Sequence, residues 1–203
     1  MPQYKLIYFN SKGRAELPRL LFAYADVEYE DFRFANREEF LEKIKPNMPT
    51  GRVPVLEIDG KLYPESGAIF RYLATEFKLY GKDNVEALQI DGVVETMNDI
   101  LQVLTKIFYE NDEAKKAELQ KKAAAEDIPV VLSLLEKLAG GDVFVGDSIT
   151  AADIAFFRTM EVVLSIVTGL TLDNYPKLKS INDKVAKEPK IAAWLAKRPE
   201  TPN

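Results

Sequence analysis

Two short segments combine residue types that suit the binding of an extended peptide with a carboxylate. The first holds Val53-Pro54 before an apolar run, and a cis bond there would turn the N–H and C=O of Val53 outward to pair with an extended ligand. In the second, Ser66 stands where an apolar-periodic helix begins, so its hydroxyl and the free N–H groups of the first turn can hold a carboxylate. We interpret the two segments as one peptide-binding surface.

Glutathione, a tripeptide with a free carboxylate at each end, meets both requirements. Asp59-Gly60 predicts a tight turn that joins the two segments. A strand hairpin followed by a capped helix would explain each segment taken alone, without any ligand. That simpler explanation accounts poorly for their combination.

The composition narrows the chemistry available to the chain. Its 203 residues are 47% hydrophobic and 29% charged, which indicates a globular protein of one or two domains. The sequence has no cysteine and no histidine, so we exclude disulfides, thiol nucleophiles, imidazole bases and the usual zinc sites, and we expect no metal. A net charge of −5 without a long basic run argues against a nucleic-acid partner. Since no signal peptide or membrane-spanning run is apparent, we expect a cytoplasmic protein without a membrane partner.

Hydrophobic patterning predicts two domains, 1–78 and 85–203, with a linker at 79–84. The first domain has the order βαβ then ββα, typical of a small α/β fold of the thioredoxin kind. Its predicted strands are 4–9, 29–34, 53–58 and 61–63, and its predicted helices are 14–25, 37–44 and 66–77. The second domain is predicted to be an all-helical bundle, with a long first helix from residue 85 and later helices at 113–138, 150–168, 176–187 and 189–196.

Thr150-Ala151-Ala152-Asp153 matches a capping box, in which the threonine and the aspartate side chains bond reciprocally to each other's backbone N–H. The motif alone is a common signal of a helix start. Because an apolar run follows it, we predict a helix buried in the middle of the second domain.

Further motifs follow one another in an order specific to one family. They are Tyr4-Lys5-Leu6 before Tyr8-Phe9, Gly13-Arg14-Ala15-Glu16, Phe22-Ala23-Tyr24, Tyr29-Glu30-Asp31, Ser66-Gly67-Ala68-Ile69 before Arg71-Tyr72-Leu73, and the ending Trp194-Leu195 with Lys197-Arg198-Pro199. Along its whole length the chain resembles the cytosolic glutathione transferases. Within them it resembles most the sigma class, which includes glutathione-dependent prostaglandin D synthases and S-crystallins.

By this resemblance Tyr8 is the catalytic residue, with Arg14 assisting it. Tyr8 lies at the carboxyl end of its strand, the edge at which open α/β sheets bind ligands. A thiol has a pKa of about 8.5 and a phenol one of about 10, so a neutral Tyr8 can donate a hydrogen bond to a bound thiolate. On pattern alone, an aromatic that only packs at a strand end explains Tyr8 better; the resemblance reverses that preference.

The resemblance also implies the other contacts to glutathione, the co-substrate. Besides Tyr8 they are Phe40, Lys45, Arg52, Val53, Pro54, Glu65 and Ser66. Phe40 and Lys45 match positions near the glycyl carboxylate, in a loop one residue longer than that of the family. Val53 matches the residue that pairs with the cysteinyl backbone. Glu65, where most sigma-class chains have glutamine, would bond to the γ-glutamyl ammonium beside Ser66.

Asp99 belongs to a polar stripe of the long helix, a pattern normally typical of a solvated face. In the family the aspartate at this position reaches the γ-glutamyl ammonium in the neighbouring subunit. The resemblance therefore implies a homodimer with shared sites. Thr50 stands where several classes have an aromatic residue, so we expect a more polar dimer interface.

The resemblance places the second substrate, a small hydrophobic electrophile, against Phe9, Gly13, Leu101, Lys106 and Ala155. In the prostaglandin-synthase branch the positions of Lys106 and Ala155 are aromatic, which argues against that isomerase activity. We therefore expect a glutathione S-transferase that conjugates small apolar electrophiles.

Three alternatives to this function stay open. They are a prostaglandin D isomerase, a non-catalytic structural protein of the S-crystallin type, and a glutathione-binding carrier of apolar compounds. The intact set Tyr8, Arg14, Lys45 and Ser66 argues against the structural protein. The sequence does not separate the carrier from an enzyme.

Overall fold

A computed structural model describes residues 2–201. The chain forms two compact units. The first unit comprises Met1–Lys78 and Pro189–Asn203, and the second comprises Leu79–Glu188. The first is a thioredoxin-like α/β layer and the second is helical, so the predicted fold class is confirmed.

The first unit is built on a four-stranded sheet with the order β2-β1-β3-β4. Its strands are β1 (Tyr4–Phe9), β2 (Glu30–Phe34), β3 (Val55–Ile58) and β4 (Lys61–Pro64). The β1 and β2 strands are parallel, whereas β3 is antiparallel to both of its neighbours. Side chains alternate between the faces of β1, so Ile7 and Phe9 share one face and Leu6 and Tyr8 the other.

The helices of the first unit are α1 (Glu16–Ala25), the short α2 (Arg37–Glu39), α3 (Ser66–Glu76) and α9 (Pro189–Lys197). A 3₁₀ turn, Gly13–Ala15, precedes α1. A π-helical turn, Phe40–Ile44, continues α2 and leads to a 3₁₀ turn at Lys45–Asn47. The α1 helix packs against both α3 and α9. The last helix, which the sequence analysis assigns to the helical domain, is thus grouped with the first unit.

The second unit contains five helices among its described residues. They are α4 (Asn84–Tyr109), α5 (Glu113–Lys122), α6 (Ile128–Leu138), α7 (Ala151–Ile166) and α8 (Pro176–Lys187). The α7 helix packs against α4 and α8, and its residues Ala151–Met160 are all buried. This agrees with the prediction of a helix buried within the second domain.

The predicted helix 113–138 is helical along its whole length, with α5 and α6 as its two α-helical parts. A π-helical turn, Ala123–Asp127, lies between them, and Pro129 occupies the first turn of α6. Proline has no N–H to donate to the preceding turn and is best accommodated where a helix begins. The α5 helix also has no buried residue, whereas α6 buries Ile128, Val131, Leu132 and Leu135.

The capping box at the start of α7 is present and involves a further loop. The Thr150 N–H and hydroxyl donate to Asp153 Oδ2 at 2.7 and 2.9 Å. The Phe144 N–H donates to Asp153 Oδ1 at 2.7 Å. Burial raises the pKa of the Asp153 carboxyl, although these hydrogen bonds oppose the shift. Asp153 therefore anchors both the helix start and the loop before it.

Across residues 2–201 the structure contains no helix with the length and apolar character needed to cross a membrane.

Candidate active site

An open cleft of about 440 Å³ lies in the first unit. It is formed by the end of β1, the turn before α1, the segment from α2 to the start of β3, and the start of α3. Its lining residues are Phe9, Arg14, Arg37, Phe40, Leu41, Lys45, Gly51, Arg52, Val53, Pro54, Glu65 and Ser66. We refer to this feature as the cleft.

The cleft brings together nine residues that the sequence analysis selects for glutathione or for the electrophile. It also contains Arg37, Leu41 and Gly51, which the sequence analysis misses. Arg37 lies three residues before Phe40, a spacing that places two side chains on one helix face. The assignment of Phe40 would therefore have pointed to Arg37 as well.

Two local features give the peptide-binding segments their form. The Val53–Pro54 bond is cis, as the sequence analysis anticipates. Ser66 is the first residue of α3, so the free N–H groups of the first turn of that helix lie beside the cleft. Glu65, immediately before it, has φ +78°, a value uncommon for a residue other than glycine. Such backbone strain is concentrated at functional sites.

A π-helical turn positions the predicted contacts Phe40 and Lys45. The Lys45 N–H donates to the Phe40 carbonyl, so the two residues are separated by one turn of five residues and both line the cleft. A π-helical turn holds one residue more than an α-helical turn. This wider turn places Phe40 and Lys45 on the same cleft.

Three aromatic rings in mutual contact support this side of the cleft. The Phe9 ring lies 4.3 Å from the ring of Phe34 and 5.3 Å from that of Phe40, measured between centroids. Phe34 is buried, whereas Phe9 and Phe40 are only partly buried and line the cleft. The cleft wall near Phe40 is therefore packed directly onto the sheet.

The charged side chains that line the cleft are predominantly cationic. Four of them, Arg14, Arg37, Lys45 and Arg52, carry a positive charge, and Glu65 carries the only negative charge among the lining residues. This excess contrasts with the net charge of −5 of the whole chain. Such a cleft favours a ligand with several anionic groups, because converging cations raise the local concentration of anions.

Tyr8 is not among the residues that line the cleft, but its hydroxyl lies against the turn that carries the lining residue Arg14. The Arg14 N–H donates to Tyr8 Oη at 3.2 Å. Tyr4, on the same strand, differs sharply: its side chain is buried and its hydroxyl lies 3.3 Å from that of Tyr72. Burial, with the hydroxyl of Tyr72 nearby, raises the pKa of Tyr4. Tyr8 is thus the tyrosine of β1 whose hydroxyl adjoins the cleft.

Gly13 leaves the space that the Tyr8 ring occupies. Its backbone has φ +42°, and a Cβ at this position would lie 2.5 Å from Tyr8 Oη and 2.8 Å from Cε1. A side chain at residue 13 would therefore displace the Tyr8 hydroxyl from the Arg14 N–H. The sequence analysis places Gly13 in the electrophile pocket, and the structure adds this contact with Tyr8.

We expect Gly13→Ala to lower kcat by roughly tenfold or more, because a misplaced catalytic group is costly even when it is present. The matched control is Gly60→Ala, since Gly60 also has a positive φ, of +82°, but has no atom within 4 Å of an added Cβ. Both variants should lose about 1 to 2 kcal/mol of stability from the left-handed backbone. Steady-state kinetics with glutathione compares them. Equal turnover in the two variants would contradict the role given to the Gly13–Tyr8 contact.

The remaining predicted site residues belong to the second unit. Asp99, Leu101 and Lys106 are exposed on α4, and Ala155 is buried in α7. Their contributions to ligand binding stay predictions. Within residues 2–201 no group of three or more carboxylates could hold a metal ion.

Two parts of the chain match the two domains of one protein family. Residues 4–75 match the glutathione S-transferase N-terminal domain, and residues 98–198 match the glutathione S-transferase C-terminal domain. The chain therefore belongs to the glutathione S-transferase family, whose enzymes use glutathione as a substrate.

Individual relatives match over almost the full length. The chain is 40% identical to the hematopoietic prostaglandin D synthase of Mus musculus and 39% identical to the S-crystallin SL11 of Nototodarus sloanii, with 99% of each chain covered in both cases. Among solved structures, the sigma class glutathione S-transferase of Fasciola hepatica is 33% identical, with a TM-score of 0.89 and 100% and 99% of the two chains covered. The predicted family and its sigma-class affinity are thus confirmed.

Proposed function

We propose that Tyr8 activates the thiol of bound glutathione and that the resulting thiolate attacks a small apolar electrophile. The observation that carries this proposal is the Tyr8 hydroxyl next to a cationic cleft that also contains Val53 and Ser66. A hydroxyl in this place can donate to a thiolate, whereas a carboxylate there would repel it.

The cleft suits the charges of glutathione. The tripeptide carries a carboxylate at each end and one ammonium, and the cleft offers four cations and one carboxylate. We assign the glycyl carboxylate to the Lys45 side and the γ-glutamyl end to Glu65 and Ser66. The backbone of Val53, beside the cis Pro54, pairs with the cysteinyl unit.

The chemical step follows from a thiolate held in this cleft. Arg14, on the same wall, supplies positive charge that lowers the pKa of the thiol, so its proton passes to solvent. With a chloro-nitroaromatic substrate the sulfur forms a bond to the ring carbon and chloride departs. Tyr8 stays protonated throughout and stabilises the negative charge by its hydrogen bond.

We propose that Phe9 and Gly13, which both adjoin Tyr8, contribute to binding the electrophile. A prostaglandin D isomerase is the second candidate, because a relative with that name is 40% identical to this chain. Lys106 and Ala155 favour conjugation instead, since a lysine and an alanine do not supply the aromatic walls of that branch. The Lys106 ammonium is exposed, as expected for a charge whose stem covers apolar surface.

Two assays on the purified chain test the proposed function. One follows glutathione conjugation to a chloro-nitroaromatic, and the other identifies the product formed from a prostaglandin endoperoxide with glutathione. We expect efficient conjugation and little stereospecific prostaglandin D. Prostaglandin D formed as the main product at a rate rivalling conjugation would favour the isomerase, and glutathione binding without either reaction would favour the carrier.

We also propose that the protein is a cytoplasmic homodimer in which Asp99 of one protomer contacts the γ-glutamyl ammonium bound to the other. The exposed position of Asp99 on α4 is consistent with this. Asp99→Ala should then weaken glutathione binding by roughly ten- to a hundredfold, since a hydrogen bond to a charged group contributes about 1.5 to 3 kcal/mol.

A mixed-dimer experiment separates a shared site from a site within one chain. Ser66→Ala and Asp99→Ala homodimers are each expected to bind weakly. After subunit exchange, a shared site restores one intact site per hybrid dimer, because the unaltered Ser66 and Asp99 then meet. Calorimetry should detect this high-affinity fraction. Its absence in a verified hybrid would refute the shared site.

A further inference from the structure

A buried ionic network connects the C-terminal helix to the turn that contacts Tyr8. Glu16 and Arg19, both on α1, are 1% and 0% exposed. Neither position is part of the cleft lining. Charged side chains are almost never buried this completely unless they are paired.

Arg19 is hydrogen-bonded to the backbone just before the Gly13–Ala15 turn, the turn that contacts Tyr8. Its Nη1 donates to the Ser11 carbonyl at 2.8 Å and to the Lys12 carbonyl at 3.5 Å. Its Nε donates to Asp31 Oδ1 at 3.0 Å, which ties the guanidinium to β2. Gly13 and Arg14 follow these two carbonyls directly, so the guanidinium determines where the Arg14 N–H meets the Tyr8 hydroxyl.

Glu16 in turn orients Arg19 and connects it to α9. Glu16 Oε2 accepts from Arg19 Nη1 at 3.2 Å. Glu16 Oε1 accepts from Trp194 Nε1 and from Arg198 Nη1, each at 2.9 Å. Burial opposes the charge of Glu16, but these hydrogen bonds and the two arginines outweigh it and lower its pKa. The carboxylate is therefore ionised at neutral pH.

We propose that Trp194 and Arg198 are positioning residues for catalysis, acting through Glu16 and Arg19 on the turn that aligns Tyr8. The C-terminal segment thus sets the geometry of the thiolate site without touching the ligand. This inference rests on the proposed role of Tyr8. Removing a hydrogen-bond partner of Glu16 should loosen Arg19 and shift the Arg14 N–H away from Tyr8 Oη.

Trp194→Phe tests this series of contacts, because it keeps an aromatic ring but removes the indole N–H together with part of the ring system. We expect a roughly two- to thirtyfold lower kcat at neutral pH, a higher apparent pKa of the bound thiol, and a KM for glutathione within about twofold of the unaltered protein. Arg198→Lys, which keeps the charge, should give a smaller change in the same direction.

The matched control is Lys190→Met. Lys190 also joins α9 to the end of α1, through an exposed ion pair with Asp26 at 3.6 Å. This ion pair is not part of the Glu16–Arg19 network. The kcat and the pH profile of Lys190→Met should equal those of the unaltered protein. If Trp194→Phe lowers the unfolding midpoint yet keeps the pH profile of the unaltered protein, the contacts only stabilise the fold and the inference is wrong.

A readout without turnover keeps this test separate from that of the proposed function. In fluorotyrosine-labelled protein, the fluorine resonance of Tyr8 can be identified by its loss in Tyr8→Phe. Trp194→Phe should move this resonance and Lys190→Met should not. If the unaltered protein shows no conjugation, the proposed function fails, while this shift still decides whether α9 controls the position of Tyr8. An unmoved resonance in Trp194→Phe would overturn the inference.

Discussion

Tyr8→Phe is expected to lower kcat for conjugation by about 10²-fold while leaving the affinity for glutathione nearly unchanged. The hydroxyl donates to the thiolate, a charge that matters most in the reaction, and loss of one such donor typically costs this much. The tripeptide itself is held by other residues of the cleft. The pKa of the bound thiol should rise in the variant.

Tyr4→Phe is the matched control, because it removes a phenolic hydroxyl from the same strand. That hydroxyl lies against Tyr72 and away from the Arg14 turn. For Tyr4→Phe we expect the kcat and the pKa of the bound thiol to equal those of the unaltered protein. The measurements are a pH titration of the bound thiol and steady-state kinetics. An unchanged thiol pKa in Tyr8→Phe would exclude Tyr8 as the activating group.

Asp153→Ala is expected to destabilise the protein by about 2 to 6 kcal/mol. The Phe144 and Thr150 N–H groups would both lose their acceptor in a buried environment, at about 1 to 3 kcal/mol each. Thr150→Ala removes only the hydroxyl contact and should cost about 1 kcal/mol.

Urea unfolding of both variants measures these differences. Thr105→Ala provides a control on an exposed helix surface, where the Thr105 hydroxyl donates to the Leu101 carbonyl, and its effect should stay within about 0.5 kcal/mol. Equal unfolding midpoints for Asp153→Ala and Thr150→Ala would show that the contact with Phe144 contributes nothing.

The sequence was most informative where neighbouring residues create a signal by themselves. Val53-Pro54 before an apolar run, Ser66 at a helix start, and Thr150 three residues before Asp153 each describe a local backbone geometry, and each has it in the structure. The order of strands and helices follows for the same reason, because hydrophobic periodicity is a property of adjacent turns and pleats.

Where the sequence analysis was incomplete, the missing information was the path of the backbone. A short helical stretch was predicted for 37–44, but the π-helical turn that brings Lys45 to the same side as Phe40 was not. That turn also carries Leu41, a further cleft residue that the sequence analysis did not select. The helical span 113–138 was predicted correctly, but its π-helical turn Ala123–Asp127 was not, since Pro129 lies in an otherwise continuous helical pattern.

By itself, then, the sequence determined the fold class, the family and most of the cleft, because these depend on short motifs and on local periodicity. Only the tertiary structure decided how Tyr8 is held. Glu16 and Arg19 look in the sequence like solvated charges at a helix start, yet they are buried because Trp194 and Arg198, 178 and 182 residues beyond Glu16, fold back against them. A contact over such a separation leaves no local pattern, since it arises from packing in three dimensions.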